Sequence, residues 1–162
     1  MKEKVYAVLD ELGIEYEVVN HPPLFTADDD EKYGIEFNGT ICKCLFLRNK
    51  NKSKYYVYAM PLDKRADIKA IGERLGESKM SFGSEEALEE KLHIKSGAVS
   101  VFNVVEVPKT DVIFVMDEDV LKCDKVGFHP NDNTATVLLA PKDIEKIWQK
   151  YDIDTSFNFV KI

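Results

Sequence analysis

The stretch that decides the fold is "GTICKCLFLRNK", residues 39–50. Its apolar residues fit a strand, and side chains along a strand alternate between the two faces of the sheet. One face then carries Ile41, Lys43, Leu45 and Leu47, and the other carries Cys42, Cys44 and Phe46. Both faces are apolar apart from the lysine. The segment therefore predicts a buried strand with one charged side chain in its middle.

Lys43 needs a partner or a path to solvent if this strand is buried. Burying an ammonium group without a partner costs several kcal/mol or removes its proton. The site must therefore offer a carboxylate, a route to water or an anionic ligand. Alternatively, Lys43 lays its methylene groups on the sheet and keeps its ammonium group in solvent. Considered alone, the strand favours this second interpretation.

The composition is that of an ordinary soluble protein. The chain has 162 residues, of which 44% are hydrophobic and 31% are charged, and we expect one domain over residues 1–162. Its net charge of −7 argues against broad neutralisation of nucleic-acid phosphates, although a small basic pocket could still bind one nucleotide end. With no apolar run of roughly 20 residues and no secretory signal, we expect a cytoplasmic protein with no membrane partner.

Periodicity and capping residues predict a mixture of helices and strands. We expect helices at residues 2–12, 84–92 and 141–149, one through Ile68, Ile71 and Leu75 that stops at Gly76, and a helix start at Asp28–Glu31. We expect strands at residues 15–20, 41–48, 55–60, 99–105, 112–116, 125–129 and 134–139, with a hairpin joining the second and third. Helices and strands do not alternate strictly, which favours an α+β fold with a mixed sheet.

Metal and nucleotide-cofactor sites lack support in the sequence. The three histidines are far apart, and Cys42 and Cys44 have the spacing Cys-x-Cys rather than that of a zinc knuckle. Glycine-rich phosphate loops and a nucleophile elbow are absent. A nucleophilic Cys44 activated by Lys43 is conceivable, but neighbours in a strand point to opposite faces, so a structural cysteine fits better. We expect no metal and no cofactor.

Two further segments could present functional groups. In "GFHPNDNTATVLL", residues 127–139, His129 ends one strand before a tight turn, where functional side chains are often found. Considered alone, the segment favours an ordinary hairpin with His129 packed on its neighbour. In "KSGAVSVF", residues 95–102, Gly97 could let successive backbone amides point at an anion or a carbonyl oxygen. A plain turn between a helix and a strand is the alternative there.

Six segments, taken in order along the chain, resemble the motifs of one known protein family. They are "HPPLFT", "KCLFLRNK", "DIKAIGERLG", "MSFGSEEALEEKL", "GAVSVF" and "GFHPNDNTATV". Together they resemble the YbaK/ProX family of aminoacyl-tRNA deacylases, and in particular its free-standing prolyl-tRNA editing proteins. The resemblance runs from about residue 5 to about residue 148 and implies a curved, partly barrel-like mixed sheet surrounded by helices.

The resemblance also implies a reaction and a set of site residues. The family hydrolyses the ester of a mischarged aminoacyl-tRNA, and Lys43 matches its lysine, thought to bind the terminal phosphate or ribose. Gly97 matches the glycine of a loop whose backbone holds the aminoacyl group, and His129 matches a histidine at the same pocket. Around these three we expect further substrate contacts from Cys44, Ala98, Val99, Ser100, Phe128, Asn133 and Thr134.

Two positions depart from the family pattern. Cys44 stands where an asparagine is usual, which affects a polar contact near the ester. Val101 stands where a loop proline is usual, which affects the stiffness of the loop and the amino acid accepted.

The expected reaction is therefore metal-independent hydrolysis of Ala-tRNA(Pro). Proline-specific synthetases cannot fully reject alanine, because a smaller apolar side chain in a larger pocket loses only about 1–3 kcal/mol. Deacylation of Cys-tRNA(Pro) and a non-catalytic module that binds a tRNA end or a synthetase are the alternatives. The expected partner is the aminoacylated 3′ end of a tRNA, with prolyl-tRNA synthetase as a further candidate and no DNA.

Overall fold

The structure is a computed structural model that describes residues 1–23 and 32–153. Its helices are α1 (Lys2–Glu11), α2 (Ile68–Arg74), α3 (Glu85–Leu92), α4 (Glu118–Leu121) and α5 (Pro141–Lys150), with a short 3-10 helix at Asn103–Val105. Its strands are β1 (Tyr16–Asn20), β2 (Thr40–Asn49), β3 (Tyr55–Pro61), β4 (Met80–Phe82), β5 (Ile113–Met116), β6 (Val126–Phe128) and β7 (Ala135–Leu139). The expected helix start at Asp28–Glu31 lies outside the described residues.

The strands form one mixed seven-stranded sheet. Its order is β1-β7-β6-β2-β3-β5, and β4 pairs with the far end of β2. The β2/β6 and β3/β5 pairs are parallel, whereas the other pairs are antiparallel. This confirms the α+β class and the hairpin of β2 and β3. Within the described residues, β1 and β5 remain separate edges, so the sheet is not closed into a barrel.

The two faces of the sheet bury different clusters. The larger core joins Cys42, Phe46, Val57, Phe114, Val126 and Val137 to apolar residues of α1, α3 and α5. The opposite face packs Leu47, Tyr58 and Met60 against Ile71 and Leu75, which belong to or follow α2. The alternation expected of β2 is therefore observed, with Lys43 on the face that α2 partly covers.

The helices begin where their sequences provide capping groups. Ser84 Oγ accepts the amide of Ala87 at 3.1 Å, which satisfies one free N–H at the start of α3. Asp67 caps α2 through the amide of Ala70 at 3.0 Å, and Pro141 occupies the first turn of α5. None of the helices in the described ranges is long and apolar enough to cross a membrane.

The expected strand at residues 99–105 is wrong. The segment forms a buried loop and a 3-10 turn, because Ser100 and Asn103 direct their side chains at the local backbone. Such side chains offer the backbone an alternative to a sheet ladder. The pattern also missed the three-residue β4 and the single-turn α4, which are too short to leave a periodic signal.

Candidate active site

Lys43 lies half-buried in the middle of β2, opposite Met60 of β3. No residue in the described ranges accepts a hydrogen bond from its ammonium group or forms an ion pair with it. The interpretation that Lys43 has a buried carboxylate partner therefore finds no support in the described chain. Solvent can hydrate this ammonium group, and an anionic ligand can neutralise its charge.

A nearby acidic cluster has its own lysine. Asp117 is 1% exposed, and its Oδ2 accepts from Tyr58 Oη at 2.7 Å and from Lys64 Nζ at 3.0 Å. Lys64 also pairs with Asp119 at 2.8 Å. These contacts place the buried carboxylate of Asp117 with Lys64 rather than with Lys43.

Gly127 shows which side chains share the face of Lys43. A Cβ atom placed on Gly127 would lie 2.6 Å from Ile41 Cδ1 and 3.0 Å from Thr136 Cγ2. Ile41 and Thr136 therefore flank Gly127 on one face of the sheet. Lys43 follows Ile41 by two residues in the same strand and so points to this face as well.

His129 lies next to this face, directly after β6. Its Nδ1 is 2.9 Å from the backbone oxygen of Ala135. A carbonyl oxygen can only accept, so Nδ1 carries the proton and Nε2 holds a lone pair in the neutral ring. No described residue occupies Nε2. His129 is therefore oriented as a hydrogen-bond or proton acceptor.

Burial keeps His129 in this neutral form. Desolvation lowers the pKa of its imidazole below the ordinary value, and the adjacent His21 acts in the same direction. The Ala135 carbonyl and the carboxylate of Asp132 act in the opposite direction but are weaker. At neutral pH the ring is thus an available base rather than a cation.

His21 is the site residue that the sequence reasoning missed. It directly follows β1, is 8% exposed, and places its Nε2 2.8 Å from Thr136 Oγ1. The rings of His21 and His129 meet edge-on with centroids 5.9 Å apart. The only local signal was a histidine before two prolines at the end of a predicted strand, in a segment that entered only through the resemblance.

The loop that follows Gly97 is hydrogen-bonded to the segment that contains His129. Asn103 Oδ1 accepts the amide of Ser100 at 2.8 Å, and Asn103 Nδ2 donates to Asn131 Oδ1 at 2.7 Å. Ser100 Oγ donates to the backbone oxygen of His129 at 2.6 Å. This network fixes the position of the loop relative to the histidine.

Gly97 itself is exposed, with φ +93° and open space where a Cβ would lie. No hydrogen bond joins Gly97 to Lys43 or His129 in the described chain, and Ser100 of the same loop is the residue that bonds to the backbone of His129. Within the described residues the amides of Gly97 and Val99 donate to no protein acceptor. Two backbone donors in this loop are therefore unpaired within the described chain.

The other predicted contact residues lie in different surroundings. Phe128 is 3% exposed and packs in the larger core, on the opposite face from Lys43. Thr134 accepts from Lys2 Nζ at 3.2 Å and bonds to Asp132, and its backbone oxygen accepts from the amide of His21. Ala98, in the loop after Gly97, and Asn133, in the turn between His129 and β7, are both half-buried. Their contacts with a substrate stay predictions.

Comparison with known proteins identifies the family. Residues 21–147 match the model of the aminoacyl-tRNA editing domain, a span that includes the strand of Lys43, the Gly97 loop and both histidines of the site. The chain belongs to the aminoacyl-tRNA editing domain family.

Two relatives of this editing domain match most of its length. It is 39% identical over 146 residues to the prolyl-tRNA editing protein ProX of Acetoanaerobium sticklandii, with 90% of this chain and 89% of that protein covered. It is 33% identical over 139 residues to the prolyl-tRNA synthetase associated domain-containing protein 1 of Mus musculus, with 83% and 82% covered.

Solved structures share the fold of this editing domain. A crystal structure described provisionally as a trans-editing enzyme for prolyl-tRNA synthetase gives a TM-score of 0.69 at 18% identity, covering 99% of this chain and 94% of that one. A hypothetical protein of known crystal structure gives 0.75 at 19% identity, covering 98% and 97%. At these identities the likeness concerns the fold alone.

The two departures of this editing domain from the family pattern meet in the structure. Cys44 points to the face opposite Lys43, where the backbone N–H of Val101 acts to lower the pKa of its thiol. A proline at position 101 would have no N–H to donate. Burial nevertheless raises the pKa of Cys44 to about 12, so it is a poor nucleophile at neutral pH.

In the described part of this editing domain, no three His, Cys, Asp or Glu side chains form a group that could hold a metal ion. Cys42, Cys44 and Cys123 are all free thiols. The described site residues instead offer an unpaired ammonium group in β2, a neutral imidazole after β6, and a loop hydrogen-bonded to the segment of that imidazole.

Proposed function

We propose that this chain hydrolyses the ester of tRNA(Pro) that has been mischarged with alanine. The coarser activity follows from the family: an aminoacyl-tRNA editing domain is a hydrolase that removes an amino acid from a tRNA. The observation that carries the proposal is the half-buried Lys43, which has no described partner and shares a face with the oriented base His129. The name of the relative from Acetoanaerobium sticklandii supports the proline system.

Lys43 suits the nucleotide end of the substrate. A lysine ammonium group binds phosphate oxygens as a point charge, and a charge-assisted hydrogen bond contributes more where water is partly excluded. The ligand supplies the negative charge that no described residue supplies. In this proposal Lys43 binds the terminal phosphate or ribose and sets the position of the ester.

His129 suits the proton transfer. Its Nε2 accepts a proton from the attacking water as the water oxygen bonds to the ester carbonyl carbon. The C–O bond to the tRNA 3′ oxygen then breaks, and the protonated His129 returns the proton to that oxygen. The products are free alanine and a tRNA with its 3′ hydroxyl restored.

The loop suits the charge that develops on the carbonyl oxygen. Backbone amides that point at such an oxygen contribute about 100- to 1,000-fold to the rate of acyl transfer. The amides of Gly97 and Val99 donate to no acceptor within the described chain. The hydrogen bonds of Ser100 and Asn103 support this role because a fastened loop needs no reorganisation during the reaction.

A panel of charged tRNAs tests the proposal. Purified protein is mixed with tRNA(Pro) carrying alanine, cysteine, serine or proline, and release of the amino acid is followed. We expect alanine to be released fastest and proline to be retained. Faster release of cysteine would favour the alternative substrate, and no release above the uncatalysed rate from any tRNA would leave only the non-catalytic binding module.

A further inference from the structure

His21 has a hydrogen-bond partner at each of its two ring nitrogens. Its Nδ1 lies 2.9 Å from the backbone oxygen of Pro22 and its Nε2 lies 2.8 Å from Thr136 Oγ1. The carbonyl can only accept, so Nδ1 donates, and Nε2 of the neutral ring accepts the hydroxyl proton of Thr136. Both ring nitrogens are therefore occupied, which leaves His21 no atom with which to touch the reacting groups.

The ring of His21 contacts two other rings. The Phe37 ring meets it edge-on with centroids 6.1 Å apart, and the His129 ring meets it edge-on with centroids 5.9 Å apart. Aromatic pairs at these separations prefer such edge-on arrangements. His21 is thus a fixed flat surface against which the ring of His129 lies.

His129 needs such a surface. Its single described side-chain hydrogen bond, from Nδ1 to Ala135 O, selects the tautomer and fixes one point of the ring. A base must lie within hydrogen-bond reach of the proton that it removes. A second contact is therefore required to keep Nε2 directed at one point.

We propose that His21 is a positioning residue: its ring, fixed by Pro22 and Thr136, holds the ring of His129 in the orientation that presents Nε2 to the substrate. This inference rests on the proposed hydrolysis, because it concerns how the base of that reaction is held. It assigns His21 no proton transfer of its own.

Three variants test this role. His21→Ala removes the packing surface, whereas the double variant His21→Phe, Thr136→Val keeps an aromatic ring and removes both halves of the polar pair together. His93→Asn is the matched control, because His93 is exposed at the end of α3 with φ +56°, a conformation that asparagine tolerates.

We expect His21→Ala to lower kcat about 10- to 100-fold with KM changed less than about threefold, because a small misplacement of a catalytic group has effects of this size. The double variant should retain kcat within about threefold of the wild type, and His93→Asn should match the wild type. Imidazole ¹⁵N relaxation should report a rigid His129 ring in the wild type and the double variant and a more mobile ring in His21→Ala, with the tautomer set by Ala135 O kept in all three.

The results separate this inference from the proposed function. If wild-type protein hydrolyses nothing, the proposed function fails, while ¹⁵N relaxation still decides whether His21 fixes His129. Unchanged kcat and unchanged His129 relaxation in His21→Ala would overturn the inference, as would equal losses in His21→Ala and the double variant. Should His21→Ala fail to fold, His21→Leu replaces it, because leucine fills the space without a flat ring.

Discussion

Replacing Lys43 by methionine should separate function from stability. The variant keeps a long apolar side chain on the α2 face of β2 and removes only the ammonium group. A hydrogen bond to a charged partner contributes about 1.5–3 kcal/mol, so losing one to the substrate should lower kcat/KM about 10- to 150-fold. No described residue loses an ion pair, and the desolvated charge disappears. The free energy of unfolding should therefore stay constant or rise by about 1 kcal/mol.

Single-turnover release of alanine from Ala-tRNA(Pro) and urea unfolding measure the two effects. Lys109→Met is the matched control, because Lys109 is exposed in the loop before β5 and lies outside the site. Unimpaired hydrolysis by Lys43→Met would refute the reasoning. A fall in unfolding free energy of more than about 2 kcal/mol would show that Lys43 is a structural residue with a partner.

Further changes should follow from His129, Asp117 and the cysteines. Hydrolysis should fall as the pH drops through the lowered pKa of His129, which a pH profile of kcat/KM measures. The same shift affects stability. The contribution of His129 to the free energy of unfolding is present above the pKa that histidine has in the unfolded chain, and it is lost as the pH falls through the lower pKa of the folded protein. Asp117→Asn should lower the free energy of unfolding by about 2 kcal/mol in urea, because Lys64 loses its buried partner. Native protein should resist alkylation at Cys42 and Cys44, because burial raises the pKa of both thiols, and mass spectrometry locates the label.

Each of these expectations has a result that would contradict it. A rate that rises on acidification would mean that protonated His129 is the active form. For the Asp117 variant, the control is Asp111→Asn, whose carboxylate is 74% exposed, and equal stability losses in both would contradict the buried ion pair. Alkylation of Cys44 as fast in native as in unfolded protein would contradict its burial.

The sequence predicts the helices and strands that are marked by local alternation or by capping residues. Alternation in residues 41–48 points the side chains of Lys43 and Cys44 to opposite faces of the sheet. Ser84 and Pro141 mark the starts of two helices. Both signals can be read because they are local in the sequence. The loop at residues 99–105 has the β-branched composition of a strand. The hydrogen bonds of its buried polar side chains, made both to the local backbone and to His129 and Asn131, turn it away from the sheet.

The site depends on contacts that the sequence cannot display. His21 and Thr136 are separated by 115 positions and meet only because β1 pairs with β7 in one register. The position of His129 beside them depends in turn on the pairing of β6 with β7. The resemblance to a family predicted Lys43, Gly97 and His129 as site residues. The contact between His21 and His129 could be seen only once the strand pairing was known.

The most direct test of the account is single-turnover hydrolysis of Ala-tRNA(Pro) by the wild-type protein in the presence of a metal chelator. The account predicts release of alanine well above the buffer rate, with Pro-tRNA(Pro) intact under the same conditions and the rate lost in His129→Ala. Release of alanine no faster than in buffer, or a rate that His129→Ala leaves unchanged, would contradict it.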